Sequence, residues 1–173
     1  MIRLKYSKVH IIGSVGSGKT TLAKKLTKEF NIPYYELDNV VWERHKSGDI
    51  RRTEEQRKEY LEQIIQSKAW IIEGVHNEEW VSKSFYEADI ILFLDPAYSL
   101  RTFRIVKRFF LQKIGVEKSH YKSTFQIFLK MFKWNKQFET VGKPNFLTNY
   151  HQLNDKIKII RSDKDIVEVL GGK

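Results

Sequence analysis

Val9-His10-Ile11-Ile12-Gly13-Ser14-Val15-Gly16-Ser17-Gly18-Lys19-Thr20-Thr21 is the stretch that decides the reading. It opens with a short apolar run that stops at a glycine, the pattern of a buried strand. A glycine-rich loop follows. From Lys19 to about Phe30 the apolar positions Leu22, Ala23, Leu26 and Phe30 have helical spacing. Gly13 to Thr20 fits G-x-x-x-x-G-K-[ST] in full, with the strand before and the helix after that the pattern requires. Glycines let successive amide N–H groups turn inward and cradle a phosphate. The helix adds the positive end of its dipole. The expected ligand is Mg-ATP, held by Gly13, Ser14, Val15, Gly16, Ser17, Gly18, Lys19, Thr20 and Thr21. Lys19 would neutralise the β- and γ-phosphates, and the Thr20 hydroxyl would ligate Mg2+.

Outward from this loop, strands and helices alternate. Pro33–Leu37, Ala69–Ile72, Ile90–Leu94 and Lys156–Ile160 read as further strands. They are apolar throughout, which marks a parallel sheet covered on both faces. Between them Asp38–Arg52 is irregular and polar. Thr53 to Gln56 forms a capping box ahead of a helix through Ile65. A short helix is expected near Glu78–Tyr86. Longer ones are expected at about Ala97–Lys113 and Tyr121–Phe138, separated by a break at Gly115–Ser119. Gly142, Pro144 and Asn145 mark another break, with a short helix expected after it, and Ser162 opens a last helix.

The 173 residues suit one domain, 1–173. There is no cysteine, which excludes disulfides, Cys-based zinc sites and a thiol nucleophile. No apolar run approaches a membrane span, the N-terminus lacks a signal-peptide pattern, and no lipidation motif is present. A cytoplasmic location is the expectation. The net charge of +10 is uneven. Residues 1–95 balance at 15 basic and 15 acidic, whereas 101–143 carry 11 basic, 2 acidic and nine aromatic residues. Such a stretch attracts polyanions: nucleotide phosphates, nucleic acid or an acidic membrane face. The plainer reading is a solvated basic face with inward-packed aromatics.

The order of several motifs resembles the adenylate kinase/shikimate kinase group of small P-loop kinases. Within it the sequence is most similar to the DNA topology modulation, or FlaR-related, proteins. The resemblance rests on Ile11–Thr21, Glu36-Leu37-Asp38, Trp70–Gly74, Ala88–Asp95 and the arginine helix Arg101–Arg108. It implies a three-layer α/β P-loop NTPase fold with a five-stranded parallel sheet in the order 2-3-1-4-5. It also implies a helical substrate-side flap over 38–68 and a mobile basic lid over about 101–143.

The resemblance gives Asp38 the role of holding substrate or a Mg2+-bound water; capping the next segment is the alternative. Glu73 can order a Mg2+ water or accept a proton from the attacking hydroxyl, or be an exposed turn residue. Many nucleotide kinases carry Asp-Gly-Phe-Pro-Arg where this chain has Glu73-Gly74-Val75-His76-Asn77. Asp95 reads as a helix cap. Arg101, Arg104 and Arg108 at i, i+3 and i+7 share one helix face. Their guanidiniums suit the charge of a transferring phosphoryl group, the work of lid arginines in the group. Arg44, Arg51 or Arg52 would bind an anionic part of the acceptor, and Arg161 would stack on adenine or simply be a surface arginine. His10 reads as core. His45, His76, His120 and His151 have no metal-ligand spacing.

An ATP-dependent phosphotransferase acting on an unidentified small-molecule acceptor is therefore the leading expectation. The guanine motif Asn-Lys-x-Asp is absent, since Asn135-Lys136 continues as Gln137-Phe138. The alternative is a P-loop nucleic-acid-binding or regulatory protein that modulates DNA topology through 101–143. A membrane-surface role for the amphipathic 121–138 helix is a third reading, with lid packing or a dimer contact as its rival. Monomer and dimer are both open.

Overall fold

The computed structural model describes residues 5–116 and 124–171. Its frame is a five-stranded parallel sheet of β1 (Lys8–Gly13), β2 (Tyr34–Glu36), β5 (Trp70–Gly74), β6 (Ile90–Leu94) and β7 (Ile157–Ile160). The spatial order is β2-β5-β1-β6-β7, the 2-3-1-4-5 arrangement when only these strands are numbered. The strands β5 and β6 are buried along their whole length because helices cover both faces. Alternation splits the core in two. Ile12, Trp70, Ile72, Ile91 and Phe93 face one side, and Val9, Ile11, Ile71, Ile90 and Leu92 the other. The second side is closed by α1 (Lys19–Phe30) through Leu22, Ala23 and Leu26, and by α8 (Asp163–Leu170).

The first side is closed by α2 (Leu37–Val41), α3 (Glu54–Ile65), α4 (Ser82–Glu87) and α7 (Lys143–Asn149). The Thr53 capping box is present: Thr53 Oγ1 accepts from Gln56 N at 3.3 Å, and Gln56 Oε1 accepts from Thr53 N at 2.9 Å. Asp38–Arg52 is more ordered than its polarity predicts. Leu37, Val40 and Val41 bury one side of α2. A small antiparallel hairpin of β3 (Trp42–Glu43) and β4 (Ile50–Arg51) follows, turning near Gly48 at φ 126°.

The two long basic helices are α5 (Tyr98–Lys113) and α6 (Phe125–Gln137). Thr124 Oγ1 caps α6 by accepting from Ile127 N at 3.3 Å. The expected start at Tyr121 and part of the expected break at Gly115–Ser119 lie outside the described residues. The break expected at Gly142, Pro144 and Asn145 does not occur. A wider π-type turn, Phe138–Gly142, carries the chain directly into α7. Pro144 falls in the first turn of α7, a position proline tolerates. Phe146 then anchors α7, fully buried against Phe85, Phe93 and Tyr150 with ring centroids 5.0–5.3 Å apart.

Replacing Phe146 by Ala should cost about 3–5 kcal/mol in urea unfolding, with an unchanged dependence on denaturant. A loss below about 1 kcal/mol would show that α7 does not depend on this contact.

Candidate functional site

The loop between β1 and α1 sits at the carboxyl ends of the strands, where parallel sheets bind ligands. Gly16 has φ 75°, and a Cβ there would lie 2.8 Å from the Arg101 carbonyl oxygen. Only glycine satisfies both constraints. Gly18, at φ 101°, is the residue from which α1 starts. No side chain caps α1 and its first turn holds no acid. Its leading amides and positive dipole end are thus left for an outside anion. Lys19 folds back over the loop and donates to the Ser14 carbonyl at 2.9 Å.

Two acids face this lysine. Glu73, next to last in β5, is in register with Ile11 of β1 and is 4% exposed, so it is not an exposed turn residue. Thr20 Oγ1 donates to Glu73 Oε1 at 2.6 Å. Burial raises the Glu73 pKa, and the Lys19 charge and the Thr20 hydrogen bond oppose that rise. Burial lowers the Lys19 pKa; Glu73 and Asp38 oppose the fall, and the Arg108 charge adds to it. Asp38 sits in the first turn of α2, one residue beyond the strand end expected from the sequence. It is exposed, with Oδ1 3.6 Å from His76 Nε2. The other ring nitrogen of His76 is 3.2 Å from Glu78 Oε2. Burial alone would lower the His76 pKa, but its bonds to Asp38 and Glu78 push it up to about 9. The His76 hydrogen bond in turn holds Asp38 below its usual range and Glu78 down at about 2.

Arg101, Arg104 and Arg108 do share the face of α5 that meets the loop, but their side chains differ. Arg101 is 1% exposed, pairs with Glu139, and lies over the Tyr98 ring. Arg104 donates to the carbonyls of Ser17 at 3.0 Å and Gly16 at 3.4 Å. It therefore grips the outer, carbonyl side of the loop. Arg108 is close enough to act on the Lys19 charge.

The arginines between β2 and α3 hold their own segment. Arg44 bonds to Asn39 and pairs with Asp49; Arg52 donates to the Asn39 and Val40 carbonyls at 2.8 and 3.3 Å; Arg51 lies over Trp42. Arg161 is exposed at the carboxyl end of β7, its amide bound to Asp165 Oδ2 at 2.7 Å. Asp95 pairs with Lys143 at 2.7 Å.

Three residues that bind groups of the site or its supports are not evident in the sequence. His76 is a bridge between two carboxylates, and only its position just after a strand end hints at it. Asn135 of α6 is fully buried and accepts from Ser14 Oγ at 3.0 Å. Its signal was a polar residue on the inner side of an amphipathic helix. Lys143 had no signal beyond charge. His10 is a core residue: burial lowers its pKa to about 3, and its Nδ1 is 3.1 Å from Ser84 Oγ. His120 lies outside the described residues. No group of three His, Cys, Asp or Glu residues suited to a metal occurs among the described residues. A cavity of about 230 Å³ opens beside β2, lined by Tyr35, Glu36, Asn39 and Tyr60 among others, but none of its lining comes from the loop.

The raised His76 pKa has a stability consequence. The folded pKa of about 9 exceeds the ordinary 6.5, so with Asp38 and Glu78 ionised the stabilisation is complete below pH 6.5, and it fades as pH rises through 9. Unfolding of the wild type and His76→Gln should therefore differ most between about pH 5 and 6.5 and converge toward pH 9.5 and above. A pH-independent difference would contradict this.

No curated protein matches the chain by sequence. Among solved structures, a shikimate kinase from Bacteroides thetaiotaomicron is similar at a TM-score of 0.53 and 14% identity, over 94% of this chain and 93% of that one. At that identity the likeness shows the fold, a shikimate-kinase-like P-loop arrangement. The family described as "ATPase family associated with various cellular activities (AAA)" matches residues 9–160, a span that runs from the first strand of the sheet to its last. The chain is a nucleotide-binding P-loop protein and belongs to the AAA family.

Proposed function

We propose that the chain is an ATP-dependent phosphotransferase, a small kinase that moves the γ-phosphoryl group of ATP to a hydroxyl of a small acceptor. The observation that carries this reading is the placement of an exposed carboxylate, Asp38, near Lys19, steadied by His76. A carboxylate at that place can receive the proton of an attacking hydroxyl. The loop amides and the α1 terminus hold the phosphates. Lys19 exchanges its Ser14 carbonyl for phosphate oxygens, which restores the hydrogen bond and gains an ionic partner.

The site suits Mg2+ as well. Thr20 spends its proton on Glu73, so its oxygen lone pairs stay available to a cation, and Glu73 and Asp38 can hold the waters around it. When bound, the ion would screen the phosphate charge. Asp38 takes the proton of the acceptor hydroxyl as the oxygen bonds to the γ-phosphorus and the bond to the ADP oxygen breaks. The His76 cation keeps Asp38 ionised and aimed. Arg108, whose charge reaches Lys19, meets the equatorial oxygens. Arg104 braces the loop, and Arg101 fixes α5 at its root. Closure of α5 and α6 would exclude water and so favour transfer over hydrolysis. Arg51 is the flap cation best able to reach an anionic acceptor. Arg161 borders the adenine side.

Lys19→Ala should abolish ATP turnover with an unchanged far-ultraviolet circular dichroism spectrum; normal turnover would refute the phosphate assignment. Asp38→Asn should lower kcat by about 10²–10⁴-fold while ATP affinity, read by calorimetry, changes only a few-fold. An equal loss in both would remove Asp38 from the chemical step.

A further inference from the structure

The α5–α6 pair carries a second surface, separate from the site. On α5 the residues facing the loop are Arg101, Arg104, Ile105 and Arg108. Leu100, Phe103, Phe110 and Ile114 form another stripe, exposed at 39%, 61%, 61% and 69%. At 3.6 residues per turn the two stripes are centred roughly 130° apart. A closing movement that brings the arginines over the nucleotide therefore leaves the apolar stripe facing outward. It is not the inner face of a lid.

Nor is it needed inside the hairpin. That interior is filled by Phe109 and Phe128, stacked at 4.3 Å, with Phe132 edge-on to Phe128 at 4.9 Å. On α6, Phe125 borders this cluster, 5.9 Å from the Phe128 ring and 6.5 Å from that of Phe109, yet it remains 61% exposed, and Leu129 53%. Isolated exposed apolar residues are ordinary, but a helical stripe of aromatic and aliphatic side chains marks an interaction surface.

The charge identifies what covers it. Lys107, Lys113, Lys130, Lys133 and Lys136 are exposed on these helices, and neither helix contains an acid. Two copies meeting through this face would oppose like charges, so the partner is anionic. Leu100, Ile114 and Leu129 have no π-face on which a base could stack, yet they suit acyl chains. Flanking lysines can lay their stems along that boundary and keep their ammonium groups among phosphates. We propose that the α5–α6 surface docks on the face of an anionic lipid bilayer, with Phe103, Phe110, Ile114, Phe125 and Leu129 entering the headgroup region. This goes beyond phosphoryl transfer and does not depend on it.

Sedimentation of the full chain with vesicles tests it. Phosphatidylcholine vesicles containing phosphatidylglycerol should bind at least about tenfold more protein than phosphatidylcholine alone. Phe110→Ser/Ile114→Ser should remove about tenfold of that binding, and Lys107→Glu/Lys113→Glu should do the same. These side chains are exposed and away from the loop, so ATP affinity should stay unchanged in both variants. Absence of binding to the anionic vesicles would overturn the proposal. So would full binding by the apolar double variant, or retention by single-stranded DNA in place of vesicles.

Discussion

The hydrogen bond from Thr20 to the buried Glu73 carboxylate, with Lys19 beside it, is the contact on which the site depends. Taking a carboxylate and an ammonium out of water is costly, and the cost falls only if each meets the other and its remaining hydrogen-bonding capacity is used. Here Glu73 stands near the end of β5, in register with β1, and Lys19 opens the helix that follows the loop after β1. Removing Lys19 would leave the buried Glu73 charge less compensated. The opposing shifts follow: burial raises the Glu73 pKa and lowers that of Lys19, and each charge checks the change in the other. Such a site is preorganised for a strong anion, because phosphate oxygens offer Lys19 a better partner than the Ser14 carbonyl.

The loop is also held from behind. Ser14 bonds to Asn135, Gly16 abuts the Arg101 carbonyl, and Arg104 grips the Gly16 and Ser17 carbonyls. These contacts join the nucleotide loop to the roots of both α5 and α6. Movement of the helical pair therefore cannot be independent of the loop. The Arg101–Glu139 and Lys143–Asp95 pairs extend the same connection to the end of β6. The π-type turn at Phe138–Gly142 sits in this region, where a wider turn brings Glu139 under Arg101 and Lys143 over Asp95.

Much of this was legible in the sequence, for identifiable reasons. The strand–loop–helix at Val9–Phe30 and the continuous apolar strands depend on local pattern and two-sided burial, which leave a direct trace in residue order. The arginine spacing predicted a shared face, and α5 has one. Spacing does not carry the side-chain partner, so it could not tell that Arg101 is buried against Glu139 or that Arg104 faces carbonyls. His76 and Asn135 escaped because their partners come from other elements, far along the chain. The expected break at Gly142–Asn145 failed because proline in a first helical turn reads the same as proline at a helix end. The resemblance to small P-loop kinases agreed with the fold, while the acceptor depends on flap side chains that pattern does not address.

Phosphorus NMR of the chain with Mg-ATP and a panel of small hydroxyl-bearing metabolites separates phosphoryl transfer from hydrolysis. At least one acceptor should yield a new phosphate-ester resonance in step with ADP. Release of ADP and inorganic phosphate alone, at one rate whatever acceptor is present, would contradict phosphoryl transfer.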